Sequence, residues 1–465
     1  MTDVRGKTLV GRFSHAPVRG AVETWTEALV AIDHDGLLVE CVQRTDPRFD
    51  QMLAEAESRG SLVRTPSTSW ILPGFVDLHI HAPQYPQLGS ALDLPLEQWL
   101  DHYTFPLEAR FADVEYAEAV YSTLVADLLA AGTTTALMFA TIHQEATRAL
   151  VDSSLDRGLR ALVGKVAADD EQQCPDFYRD ASVAAALDGT EALIDYVRSH
   201  RKNQEKLVLP VVTPRFVPSC TDETLSGLAA LAARYDTHVQ THCSESDWAE
   251  SYVQQRTGYR DAEYLDTLGL LTPKTVLAHS VFLSETDMDL VGSRSSGIAH
   301  CPLSNAYFAN AVFPLRAALR KGLHVGLGTD ISGGPSLSMR DAMTMTVTAS
   351  RMLDRGVDPA LSPEERGRSG AAEDWRTAFH LATAAGGEVL DLKVGAFVPG
   401  YAFDAQLIDT AAEGGTIRMF ADTASSDASL AKILYNATPA NISEVWVAGR
   451  SVAGRDPGPA DGTRA

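Results

Sequence analysis

Pro73-Gly-Phe-Val-Asp77-Leu-His79-Ile-His81 is the stretch around which the rest of the chain falls into place. Its apolar run reads as a β-strand, and on a strand residues two apart share a face. Asp77, His79 and His81 therefore point one way at the strand's end. Two convergent imidazoles suit a borderline cation such as Zn²⁺. A His-x-His pair alone is weak, so its meaning depends on what the later strands bring to the same place.

Outward from this run, short apolar stretches alternate with amphipathic ones. Strands are expected at 71–79, 133–139, 161–166, 207–212, 238–242, 275–279, 297–300 and 324–328, which makes eight. Helical patterns at 116–131, 222–235 and 314–321 lie between them, with Gly132 and Gly322 placed as C-terminal caps. Strands alternating with helices imply a parallel sheet, and eight of them imply an α/β fold, a closed (β/α)₈ barrel of TIM type. Pro210 within the fourth run cannot donate to a central ladder, so an irregularity is expected there. Both ends differ from the middle. Strand-like runs at 8–13, 25–33 and 37–42, and again at 405–408 and 444–448, suggest a small β-rich domain assembled from both termini. The expected division is 1–70 and 391–454 for that domain, 71–390 for the barrel, and 455–465 as a disordered tail.

Of 465 residues, 39 are Lys or Arg and 61 are Asp or Glu, a formal net charge of −22. No basic excess is left to neutralise phosphates, so neither nucleic acid nor an anionic membrane surface is an expected partner. The 5 cysteines (Cys41, Cys174, Cys220, Cys243, Cys301) are odd in number and widely spread, as expected of reduced thiols in a cytoplasmic protein. Residues 1–20 hold no apolar core of signal-peptide type. The longest apolar candidate for a membrane span, 122–142, is broken by Asp127 and Gly132.

The company of His79 and His81 is found at the other strand ends. His242 ends the fifth, His279 ends the sixth, and Asp330 follows the eighth in Gly326-Leu-Gly-Thr-Asp330. Catalytic residues of (β/α)₈ enzymes lie on this rim. Five candidate ligands on four strand ends make a metal site the reading to prefer. Lys165, at the end of the third strand, invites comparison with a lysine bridging two metals. Thr213-Pro-Arg215-Phe216 after the fourth offers no lysine, so one metal is expected. Asp77 suits a supporting carboxylate better than a ligand. Glu245, three residues after His242, is placed to move a proton beside a metal if burial tunes its pKa. Cys243 faces away from His242. His143-Gln-Glu145 has no Pro-Cys-x-x-Cys to complete the other zinc deaminase motif.

With these residues in view, the sequence resembles the guanine deaminase family of the amidohydrolase superfamily. The resemblance rests on His79-Ile-His-Ala-Pro-Gln-Tyr-Pro86, Leu94-Pro-Leu-Glu-Gln-Trp-Leu100, Tyr103-Thr-Phe-Pro106, Gly132-Thr-Thr-Thr135 and Phe139-Ala-Thr-Ile-His143. It continues through Thr213-Pro-Arg-Phe216, His242-Cys-Ser-Glu245, Ala299-His-Cys-Pro-Leu-Ser-Asn305 and Gly326-Leu-Gly-Thr-Asp330, and extends to Val394-Gly-Ala-Phe and Ile442-Ser-Glu-Val-Trp. It implies a barrel carrying a small β-sandwich, one Zn²⁺ per chain, and hydrolysis of guanine to xanthine and ammonia. It also implies ligands His79, His81, His242 and Asp330, with His279 bonding the reacting water and Glu245 shuttling its proton. Gln84, Arg215 and Phe216 match the positions that hold guanine, bordered by His242 and Glu245, and the family implies a homodimer. Two alternatives stay open on the residues alone: an aminohydrolase of another heterocycle, such as an oxidised purine or a triazine, and a metal-free structural relative.

Overall fold

The structure is a computed structural model, and it describes residues 2–308, 311–420 and 426–454. The expected tail at 455–465 lies outside the described residues. The chain divides into two compact units: Met1–Phe75 with Ala126–Thr134 and Lys393–Ala465, and Val76–Val125 with Thr135–Leu392.

The barrel strands are β1 (Phe75–His81), β2 (Thr133–Phe139), β3 (Arg160–Gly164), β4 (Val208–Pro214), β5 (His238–Cys243), β6 (Thr275–His279), β7 (Gly297–His300) and β8 (His324–Leu327). They lie side by side in sequence order, and the ladders from β2 to β8 are parallel throughout. Every residue of β1, β2 and β5 is buried, which explains why these strands read as apolar runs rather than alternating ones. β8 meets β1 just past its own end, where Asp330 N donates to His79 O at 2.9 Å and His81 N donates to Ile331 O at 2.7 Å. These bonds bring the eight-stranded barrel close to closure, and they do so at the rim that carries the histidines.

Helices cover the outside because their sequences are apolar on one stripe. The helix Asp222–Tyr235 buries Leu225, Leu228, Ala229 and Ala232, starts where the Thr221 hydroxyl accepts from Thr224 N, and ends at Asp236 in the left-handed region. Its bounds are those the pattern predicts.

One expected strand proves to be two. The run 71–79 spans the end of Ser69–Pro73, which joins the terminal sheet, and most of β1. The break is Gly74, where any Cβ would stand 2.0 Å from Thr134 Oγ1, so only glycine lets the chain pass. The irregularity expected at Pro210 falls on the neighbouring strand. Val208–Pro210 pairs with Ala161–Val163, but Thr213–Pro214 pairs with a separate two-residue strand, Val166–Ala167. Lys165 sits in the gap between the two.

The smaller unit carries one connected sheet in the order Arg450–Gly454, Ile442–Val447, Ala405–Asp409, Ser69–Pro73, Thr8–Val18, Ala21–Ile32, Leu38–Gln43, with Leu62–Arg64 beside Thr8–Val18. Ser69–Pro73 is the central link: it pairs antiparallel with Ala405–Asp409 and, at Ile71, parallel with Phe13. Sequence from both ends of the chain thus shares one core, built on Phe13, Trp25, Phe397, Phe403 and Trp446. Among the described residues no helix is long and apolar enough to cross a membrane.

Candidate active site

The C-terminal rim gathers the residues that the motifs single out. His79 and His81 come from the end of β1, His242 from β5, His279 from β6, and Asp330 from the segment after β8. All five are less than a tenth exposed. The turn geometry there is unusual: Ser244, His279, Ser280 and Asp330 all have φ between 48° and 69°, a region that non-glycine residues enter at a cost of about 1–3 kcal/mol. Such backbone concentrates where a side chain must be aimed, and here two of the four are candidate site residues.

The ring nitrogens converge. His81 Nε2 lies 2.9 Å from His242 Nε2. Asp330 Oδ1 lies 3.3 Å from His79 Nε2 and 3.7 Å from His81 Nε2. His242 Nδ1 donates to Arg215 O at 2.6 Å, which leaves the Nε2 lone pair facing the cluster. His79 Nε2 is buried with no hydrogen-bond partner among the described residues. Two groups of buried donors that share His79, one with His242 and His279 and the other with His81 and Asp330, each have ligand atoms within 4.8 Å of one another, close enough to hold a metal ion. Three neutral imidazoles and a carboxylate suit Zn²⁺. Electrostatics agree with that donor set. Burial holds His81 and His242 well below the ordinary imidazole value, so they are neutral lone-pair donors. Burial pushes the Asp330 carboxyl up, but the surrounding histidines outweigh it and hold Asp330 well below the usual range, as an anion.

Behind the cluster, Asp77 acts on the backbone. Its carboxylate accepts from Thr329 N at 3.0 Å, Thr329 Oγ1 at 2.5 Å and His79 N at 3.2 Å. It fastens the approach to Asp330 against β1. Lys165 is held elsewhere, with its ammonium 2.7 Å from Asp180 and 3.0 Å from Val166 O.

Glu245 stands beside this cluster, with its carboxylate 3.6 Å from His279 Nε2. Burial raises its pKa, against the pull of His279. His279 Nδ1 donates to Asn305 Oδ1 at 2.8 Å, so its Nε2 lone pair also faces inward, 3.8 Å from Asp330 Oδ2. Beside these groups opens a small cleft. Gln84, Arg215 and Glu245 line it on one side with His81, His242 and Asp330; Leu96, Trp99, Leu100, Phe216 and Phe308 supply apolar walls. That combination, a mostly apolar cleft with a few convergent polar groups, is the usual form of a small-molecule site.

Every site residue expected from the sequence borders this one region. What the sequence reading lacks is Glu108. This carboxylate is fully buried, and it accepts from Gln84 Nε2 at 2.7 Å, Arg215 Nη1 at 2.8 Å and Arg215 Nη2 at 3.3 Å. It lies 107 positions from Arg215 in the chain, and no local spacing could announce the pair. Part of the Arg215 fork is thus engaged by the protein itself. Asn305 ends the Ala299-His-Cys-Pro-Leu-Ser-Asn305 motif, yet its hydrogen bond to His279 is likewise a tertiary fact.

Known proteins resemble this chain over most of its length. The Amidohydrolase family profile matches residues 70–452. A probable guanine deaminase of Schizosaccharomyces pombe is 35% identical over 457 residues, covering 96% of this chain and 83% of the relative. Guanine deaminase of Dictyostelium discoideum is 32% identical over 466 residues, covering 96% and 98%. The crystal structure of guanine deaminase from C. acetobutylicum, with guanine bound in its active site, superposes with a TM-score of 0.84 at 29% identity, covering 96% of this chain and 99% of that one. By the extent of these matches the chain belongs to the amidohydrolase family, within its guanine deaminase group.

Proposed function

We propose that this enzyme hydrolyses guanine to xanthine and ammonia, at a site where His79, His81, His242 and Asp330 hold one Zn²⁺ per chain. The observation that carries the reading is the convergence of three neutral imidazoles and one ionised carboxylate beside a cavity lined by Gln84, Arg215 and Phe216. When bound, a zinc ion lowers the pKa of a water to about 7 and so makes hydroxide available at neutral pH.

The chain's own groups do the rest. His279, with Nδ1 donating to Asn305, offers its Nε2 lone pair to a proton of the reacting water. Glu245 takes the first proton that the water loses and passes it to N3 of the purine; the second, on the oxygen now bonded to C2, moves to the amino group as it leaves as ammonia. The raised pKa of Glu245 suits it to both halves of its transfer. Phe216 offers a flat apolar face, while Gln84 and the free edge of Arg215 address the purine's polar edge, with the carbonyl oxygen as acceptor. Leu96, Trp99 and Leu100 exclude water from the base once it is seated. Atoms balance: one water enters, one ammonia leaves, and the C2 carbonyl of xanthine replaces the amine.

The same reading extends to the molecule as a whole. The barrel that begins at β1 carries the chemistry, while the strands from both termini, Ser69–Pro73 among them, form a separate small β-rich domain. The enzyme works as a cytoplasmic homodimer with its five thiols reduced. Neither nucleic acid nor a membrane is its partner. Two measurements test the core of it: ammonia release from guanine by the purified protein, and metal analysis giving about one zinc per chain. Absence of guanine turnover in zinc-loaded protein sinks the assignment; two tightly held metals sink the mononuclear site.

A further inference from the structure

We infer that Glu108 is a positioning residue that sets which purine is accepted, by holding Gln84 and Arg215 in one fixed arrangement. The inference rests on the proposed roles of Gln84 and Arg215 and carries them further.

Glu108 is wholly buried, and between them its two oxygens receive bonds from both side chains. Gln84 is pinned at both ends of its amide: Nε2 donates to Glu108, and Oε1 accepts from Ser332 N at 3.2 Å. That settles which end is which. One N–H and one lone pair are left over, at fixed places, for a ligand. Arg215 is pinned in the same way through Nη1 and Nη2, and its guanidinium lies 5.2 Å from the centre of the Phe105 ring. A guanidinium carries five N–H groups, so the bonds to Glu108 leave some free while removing the freedom to turn. Glu108 does not itself line the cavity.

The position of Glu108 in the chain matters too. The segment Leu96–Ala109 is helical throughout, passing through a π-helical turn at Leu100–Thr104 before Phe105–Ala109. Its first turns supply the cavity walls Leu96, Trp99 and Leu100, and its last turn supplies Glu108. One short segment therefore both covers the base and holds the two polar groups that read it. Tyr178, also fully buried, packs with Trp99 and Phe105 on this segment and bonds Thr141 Oγ1 at 3.1 Å, which keeps the surroundings of Glu108 dry and rigid. A bond from a preorganised donor in such a site discriminates strongly, because the wrong ligand leaves buried polar groups unmatched.

The test compares guanine with 2-aminopurine, which keeps the C2 amine and lacks the carbonyl. For Glu108→Gln, Glu108→Asp, Gln84→Ala and Arg215→Lys, KM and kcat are measured with guanine and the inhibition constant with 2-aminopurine, alongside zinc content. Glu108→Gln should raise KM for guanine about ten- to a hundredfold, the effect of losing one charged hydrogen bond. Zinc content should be unchanged, and kcat and the 2-aminopurine constant should move less than about threefold on the same scale. Glu108→Asp should fall between it and the parent, and serves in its place if Glu108→Gln does not fold. Equal losses for both bases overturn the inference, because a general loosening would produce them. So does a guanine KM within about twofold of the parent. If Gln84→Ala and Arg215→Lys raise KM while both Glu108 variants do not, only the role of Glu108 fails. If all four leave KM unchanged, the reading of Gln84 and Arg215 fails with it.

Discussion

The cluster at the strand ends and the grip beside it are built on opposite principles. In the cluster, His79, His81, His242 and Asp330 point their polar atoms at a shared gap, and His79 Nε2 has no hydrogen-bond partner among the described residues. In the grip, Gln84, Arg215 and Glu108 satisfy one another with four bonds including the one from Ser332, and leave only an edge for a ligand. A buried polar group without a partner costs about 1–3 kcal/mol, so the first arrangement asks for a cation and the second is complete before substrate arrives. Chemistry needs a group that binds what comes in; discrimination needs one that does not rearrange to suit it.

The cluster is where the largest effects should lie. His79→Ala or Asp330→Ala should remove the bound zinc and lower guanine turnover by more than about a thousandfold, since a metal site missing one ligand loses the water it activates. Metal analysis and ammonia assays check both at once, and a variant that keeps full zinc and activity would place the metal elsewhere.

Glu245 separates metal holding from proton movement within that side of the site. Glu245→Gln should keep zinc and fold yet lose about 10²–10⁴-fold in kcat, the usual worth of a positioned acid–base group. Near-normal turnover would leave Glu245 as a carboxylate near a helix start and nothing more.

Arg215 addresses the grip. Arg215→Lys keeps the charge but loses the planar fork that bonds Glu108 twice. It should raise KM for guanine about ten- to a hundredfold and narrow the preference over adenine, which bears an amino group where guanine has its carbonyl. The comparison is kcat/KM for both bases in both proteins. Unchanged selectivity would mean that the grip does not read the carbonyl.

The smallest effect belongs to the support behind the turn that carries Glu245 and concerns stability. Asp261 Oδ2 accepts from Ser244 N at 2.8 Å, next to Glu245. Burial pushes its carboxyl up to about 7; Glu250 and Asp287 add to this, and the Ser244 N–H and Arg260 oppose it. The folded chain therefore keeps a proton that the unfolded chain releases near pH 4, and stability should fall as pH rises between about 4 and 7. Asp261→Asn keeps an acceptor for Ser244 and should flatten that slope by up to about 1.4 kcal/mol per pH unit. Urea melts at pH 5 and pH 7 read the difference; an unaltered slope would show that Asp261 is ionised in the folded protein.

Much of this molecule is legible in its sequence because the signals are local. β2 and β6 and the helix Asp222–Tyr235 have the bounds that apolar pattern and caps predict. The alternation of strand and helix implies the barrel, and the strand period of two places His79 and His81 on one face. Because the rim of a parallel barrel collects every strand end, residues at those ends must meet, and His242, His279 and Asp330 join them with no further information. Where the reading slips, the cause is a close approach between distant segments. The run 71–79 looks like one strand until Thr134 presses against Gly74 and divides it.

The residue types at the strand ends, their shared face and the convergence of imidazoles follow from the chain's order alone, since backbone period and barrel topology carry them. The tautomers of His242 and His279, the left-handed backbone at His279 and Asp330, and the Glu108 carboxylate between Gln84 and Arg215 come only with the folded molecule. Each depends on partners from separate parts of the chain, and a hydrogen bond 107 residues long leaves no periodic trace in the sequence that makes it.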